Sequence, residues 1–127
     1  MTGERERLVR DYVAAYNAID IEGMLAPLHE DVAFENRSGG QVTIATTGKQ
    51  AFANLARQSA SLFAERRQEI VSWSDEGETV RIEVGYRAVL AQDFPGGGPK
   101  AGDVLELRGT TEFGFRDGLI ARIVDHS

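Results

Sequence analysis

The chain has 127 residues, 42% hydrophobic and 27% charged, ordinary values for a globular protein long enough to bury a real core. Its formal net charge of −6 argues against nucleic acid or an anionic membrane as partner, because phosphate binding needs clustered Lys and Arg. The absence of cysteine excludes disulfides, thiolate-held zinc and thiol catalysis. No apolar run approaches a bilayer span, and the opening MTGERERLVR is charged where a signal peptide is apolar. The expectation is one cytoplasmic domain over residues 1–127.

Glu4 to Ile19 reads as an amphipathic helix, with Leu8, Tyr12, Ala15 and Ile19 on one stripe and Val9, Val13 and Tyr16 beside it. Asp20 is a good N-cap for a second, short helix to about Leu28, with Pro27 near its end. Asp31 to Asn36 alternates as a strand. Val32, Phe34 and Asn36 share a face, so the amide is expected at the inner end of an apolar surface. Arg37-Ser-Gly-Gly reads as a turn, and QVTIAT as a short strand or extended loop. Thr47-Gly-Lys-Gln50 matches a capping box before a third helix to about Phe63 or Ala64.

The pattern then becomes β. A strand over Arg67–Ser74 turns at Asp75-Glu-Gly77. The next, Thr79–Ala91, sets Val80, Ile82, Val84 and Tyr86 against Arg81, Glu83, Gly85 and Arg87. Phe94-Pro-Gly-Gly-Gly-Pro99 reads as an exposed connector or a mobile lid. Strand Asp103–Arg116 puts Leu105, Leu107, Thr111, Phe113 and Phe115 on one face. Asp117-Gly118 signals a hairpin. The last strand, Leu119–His126, sets Ala121, Ile123 and Asp125 against Ile120, Arg122, Val124 and His126. By its spacing Trp73 shares a face with Glu69 and Val71, as a sheet or dimer anchor. The order predicts α+β architecture: a cone-like, curved antiparallel or mixed sheet wrapped around three N-terminal helices.

Asp11-YVAAYNAIDIEGM-Leu25, His29-EDVAFEN-Asn36, Thr47-GKQAF-Phe52 and Phe113-GFRDGLIARIVD-Asp125 resemble, in this order and spacing, the nuclear-transport-factor-2-like superfamily and its SnoaL-like group. The superfamily includes ketosteroid isomerases, polyketide cyclases and limonene-epoxide hydrolases, so the resemblance implies a fold and a pocket but no single reaction. Ketosteroid isomerases pair a tyrosine and a protonated Asp with an Asp base. Tyr12 falls where that tyrosine does, but the base position is Asn36 and the second acid falls near Thr111. An amide takes no proton at useful pH. Against the limonene-type hydrolases, Asn36 matches a water-binding Asn and Asp125 a carboxyl on the final strand. Their Arg-x-Asp pair falls near Val84 and Tyr86, and their water-binding Tyr at Phe34.

The SnoaL-like cyclases use an aspartate as acid/base, and Asp125 fits that position best. Among apolar neighbours its pKa is expected to rise toward the range where a carboxyl both gives and takes protons. The alternative is an Asp that reaches solvent or an Arg. The resemblance thus implies a cofactor-free, metal-free isomerase, cyclase or hydrolase for an apolar or carbonyl-bearing ligand, homodimeric through its open sheet face. Asp125 is its acid/base. Tyr12 and Asn36 orient the ligand, Phe34, Tyr86, Leu107 and Phe113 wall the pocket, and Thr111 completes the ligand-binding set. The rival is a non-catalytic ligand-binding or protein-association module. An open cavity at Asp125 favours the first; one plugged by Phe34, Phe52 and Phe113 favours the second.

Overall fold

The computed structural model describes residues 2–94 and 96–127. In chain order the described elements are α1 (Thr2–Asn17), α2 (Ile21–Leu25), β1 (Leu28–Ser38), β2 (Gln41–Thr47), α3 (Lys49–Ala60), β3 (Phe63–Asp75), β4 (Thr79–Leu90), β5 (Val104–Arg116) and β6 (Leu119–His126). The strands form one curved sheet in the order β2-β1-β6-β5-β4-β3, with β1 and β6 parallel and the other pairs antiparallel. This is the expected α+β fold.

The helical stripe of α1 packs on the concave face, burying Val9, Tyr12, Val13 and Ala15. The helix stops earlier than its apolar pattern suggests. Ile19 takes a left-handed φ of 53°, and the Asp20 amide reaches back to the Ala15 carbonyl, closing a Schellman-type end. Asp20 then caps α2 by accepting from the Gly23 amide at 3.1 Å. Helix α2 ends at Leu25, not near Leu28: Pro27 has no N–H to continue the helical ladder, and its carbonyl accepts from the Ile120 amide of β6. Leu28 therefore opens β1 and is fully buried.

The capping box is not formed. Thr47 ends β2, Gly48 is the N-cap at φ 94°, and Gln50 donates to Asn54 within the helix. A positive φ at the cap favours glycine, and it turns the Gly48 amide onto the Val32 carbonyl of β1. Helix α3 ends at Ala60, so Phe63 belongs to β3 and not to the helical stripe.

Two irregularities change which side chains face inward. A bulge between Ile70 and Ser72 brings Trp73 opposite Ile82, against the core and not on a face with Glu69 and Val71. A shift between Gly114 and Phe115 pairs Phe115 with Ile120, which joins the core although alternation sets it opposite Ile123. The Asp117-Gly118 hairpin forms as expected, both residues at positive φ.

Two cross-strand rows set up the concave face. Phe34, Ile123, Phe113 and Val80 are partners in register, and all are buried. Burying a side chain of this kind stabilises by about 1.5–3 kcal/mol relative to leaving it exposed. The next inward row is Asn36, Asp125, Thr111 and Ile82. The polar residues thus sit one pleat beyond a fully apolar row.

Candidate functional site

A cavity of about 280 Å³ lies between α3 and the sheet, walled by Tyr12, Tyr16, Phe34 and Phe52, with Asn36, Arg66 and Asp125 supplying its polar groups. A second recess of about 210 Å³ shares Tyr16, Asn36, Tyr86 and Asp125 with it and continues past Thr111, Leu107 and Gly109. The apolar wall comes from α1, β1 and α3. Asn36 and Asp125 come from the paired strands β1 and β6, and Arg66 comes from β3 at the far edge of the sheet.

Asp125 is half-buried, and Thr111 Oγ1 donates to its Oδ1 at 2.8 Å. Burial pushes the carboxyl from 3.8 up to about 6, against smaller lowering effects of the Thr111 hydrogen bond and of His126. Tyr12 is buried, and its hydroxyl has no hydrogen-bond partner among the described residues. Its pKa is raised, first by burial and then by the Asp125 charge, so it stays protonated and able to donate. Tyr16 Oη donates to Tyr86 Oη at 3.1 Å. Burial is the largest cause of the raised pKa of both phenols. Asn36 Nδ2 donates to Thr43 Oγ1 of β2 at 2.9 Å, which leaves the amide oxygen without a donor among the described residues.

The remaining candidates are placed differently. Phe34 and Tyr86 line the cavity. Thr111 lines the second recess and reaches the first through Asp125. Leu107 is 54% exposed and borders only the second recess and an outer groove, because β5 runs beyond the helices at that point. Phe113 is too deep to touch either space. Its ring packs edge-on against Tyr12, with centroids 6.0 Å apart, and so supports the wall from behind. Phe34 and Phe52 stack edge-to-face at 5.4 Å along the wall and leave the cavity open.

Of the connector before β5, Pro95 lies outside the described residues. Phe94 is tied to the Pro99 carbonyl by its amide, and the described residues of the connector border neither recess. Among the described residues no cluster of His, Asp and Glu could hold a metal, and no helix is long and apolar enough to cross a membrane.

Sequence reasoning missed Arg66, which is 4% exposed and faces the cavity. Its Nε donates to the Tyr16 carbonyl at 2.9 Å, and its guanidinium stacks on the Tyr16 ring at 3.8 Å. The signal was present: Arg66, Gln68 and Ile70 alternate, so starting the strand before Arg67 turns Arg66 inward with Ile70.

A family model described as the SnoaL-like domain matches residues 9–123. The chain belongs to the SnoaL-like family. The match runs through Tyr12, Asn36 and Thr111 and stops just before Asp125. A candidate polyketide cyclase from Xanthomonas campestris pv. campestris is 30% identical over 98% of this chain and 90% of its own, with a TM-score of 0.81. A second candidate cyclase, from Pseudomonas putida KT2440, is 26% identical over 94% and 88%, with a TM-score of 0.74. AclR, a candidate hydroxylase from Streptomyces galilaeus, is 21% identical over 98% and 89%, with a TM-score of 0.77, and shows the shared fold alone. No protein with a curated description matches the sequence. Membership of the family supports a small-molecule-binding SnoaL-like protein.

Proposed function

We propose that this SnoaL-like chain is an enzyme that moves a proton on an apolar, carbonyl-bearing ligand without a cofactor, with Asp125 as the acid/base. One observation carries the reading: an open cavity brings a half-buried carboxyl together with a phenol that has no hydrogen-bond partner among the described residues. A carboxyl near pH 6 is mostly ionised at neutral pH and still holds its proton well enough to return it. Asp125 takes the proton from the carbon beside the ligand carbonyl. The C–H electron pair moves into the C–C bond and the carbonyl oxygen becomes an enolate. Tyr12 donates to that oxygen, and the Asn36 amide orients the ligand or a water. In a conjugated ligand Asp125 then returns the proton to a different carbon of the extended enolate, which gives isomerisation. Alternatively the enolate carbon attacks a second carbonyl, whose π pair moves to its oxygen, and Asp125 gives that alkoxide the proton, which gives ring closure.

The cyclase descriptions of the neighbours at 26–30% identity are consistent with the ring-closing outcome. The same proposal takes the chain as a single cytoplasmic domain that pairs through the open sheet face, where Val71 and Val104 are exposed. The test is exchange of the acidic C–H of an apolar ketone such as 2-tetralone in D2O. Exchange faster than buffer that is lost in Asp125→Asn supports the reading. Binding without any exchange leaves the chain a ligand-binding module.

A further inference from the structure

The carbonyl chemistry above makes no use of Arg66. Its burial puts a full positive charge in the cavity wall. The guanidinium carries five N–H donors. The Nε–H goes to the Tyr16 carbonyl, one Nη2–H points at Met24 Sδ at 3.6 Å, a weak acceptor, and the flat face is taken by the Tyr16 ring. Among the described residues no carboxylate lies within ion-pair distance of it. The C-terminal end of α1 offsets part of the charge through the Tyr16 carbonyl. That leaves N–H groups at the cavity without an anion, and a buried cation without one is costly.

We propose that the ligand of this cavity carries a carboxylate, which Arg66 receives, while its carbonyl lies toward Tyr12 and Asp125. The proposal rests on the reading of the cavity as a ligand site and adds the ligand's charge. The fit is one of shape as well as charge. Stacking on Tyr16 and the bond to its carbonyl fix the guanidinium plane, and a fixed fork suits the two oxygens of a carboxylate. Asp125 also lines the cavity, so the ligand's negative end is directed toward Arg66 and its neutral carbonyl toward the carboxyl. A dry cavity of 150 Å³ in another protein holds benzene, so about 280 Å³ suits a bicyclic or aryl keto acid of about a dozen non-hydrogen atoms.

The test compares 2-naphthoate with 2-naphthamide, which share a ring and differ in charge. Affinities come from calorimetry, and the carboxyl NMR signal of Asp125 reports occupancy. The proposal expects the intact protein to bind the carboxylate about tenfold tighter or more. It expects Arg66→Met to erase that preference while the amide still binds. Arg66→Lys, which keeps the charge and loses the fork, is expected to retain only part of it. If Arg66→Met does not fold, the comparison in the unaltered protein decides alone. Equal affinities with Asp125 perturbed by both probes would overturn the anion assignment, make Arg66 a helix cap and leave the pocket reading standing. Silence of Asp125 toward both probes would overturn the two together.

Discussion

Thr111 Oγ1 donates to Asp125 Oδ1 at 2.8 Å across the β5–β6 ladder. This bond is the main local feature that favours the ionised carboxyl, working against the burial that raises its pKa. Thr111→Val keeps the shape and removes the donor. The expected outcome is a rise in the Asp125 pKa of about one unit above its present value, since a hydrogen bond to a charged group is worth about 1.5–3 kcal/mol and one unit is 1.36. Carboxyl NMR titration of the variant checks this. An unchanged titration would mean that solvent, not Thr111, solvates the carboxylate.

The raised pKa sets the direction of a pH effect on stability. The folded carboxyl titrates at about 6 and the ordinary value is 3.8, so between these the folded chain holds more proton than the unfolded one. The stability tied to the protonated form is full below the lower value and is lost as pH rises through the upper one. With both states ionised the cost of the buried charge is on the order of 3 kcal/mol. Asp125→Asn removes it. The variant is therefore expected to be more stable than the parent at pH 7.5, by about 1–3 kcal/mol, and close to it at pH 4. Urea unfolding at the two pH values measures the difference. A gap of the same size at both would show that Asp125 is not the titrating group.

Much of this arrangement was legible in the sequence. The inward row of Asn36, Asp125 and Thr111 follows from strand alternation in three segments, each anchored by an apolar neighbour two positions away: Phe34, Ile123 and Phe113. What alternation cannot see is a bulge. Trp73 and Ile120 face the core because one extra residue shifts their registers, and no residue pattern around Ile70 or Gly114 announces it. Arg66 was lost for a different reason. The apolar stripe of α3 runs on into Leu62 and Phe63, which hides the start of β3. The capping box failed because Gly48 at positive φ already sets the helix start through its own backbone.

Tyr12 and Tyr16 neighbour each other in the wall but differ in what their hydroxyls do. The Tyr12 ring packs against Phe113 and Phe52, while its hydroxyl has no protein partner among the described residues. Tyr12→Phe is expected to leave stability within about 0.5 kcal/mol. It should weaken binding of a ketone probe about five- to tenfold, the worth of one neutral hydrogen bond. Tyr16→Phe breaks the hydroxyl pair with Tyr86 and is expected to cost about 1 kcal/mol of stability. Thermal unfolding of the two variants, with ketone binding followed by calorimetry, separates the roles. A larger stability loss in Tyr12→Phe than in Tyr16→Phe would contradict them.

Gly109 sits in β5 opposite Val84 and borders the recess beside Asp125. A Cβ added there would lie 2.7 Å from the His126 carbonyl oxygen, closer than such atoms approach. The obstacle is backbone, so the end of β6 must move away from β5. At Gly114 an added Cβ meets the Arg122 Cβ at 3.2 Å, a contact that a few tenths of an ångström relieve. Gly109→Ala is therefore expected to cost about 1–3 kcal/mol, as overpacking does, and Gly114→Ala less. The two also differ at the site. Moving the end of β6 opens Asp125 to water, so the Asp125 pKa should fall toward 3.8 in Gly109→Ala and stay near 6 in Gly114→Ala. Carboxyl NMR with urea unfolding on both variants reads the two effects together. A fall in stability at Gly109 with the Asp125 titration unmoved would show that the carboxyl's environment is set by the helices and not by closure of the β5–β6 ladder.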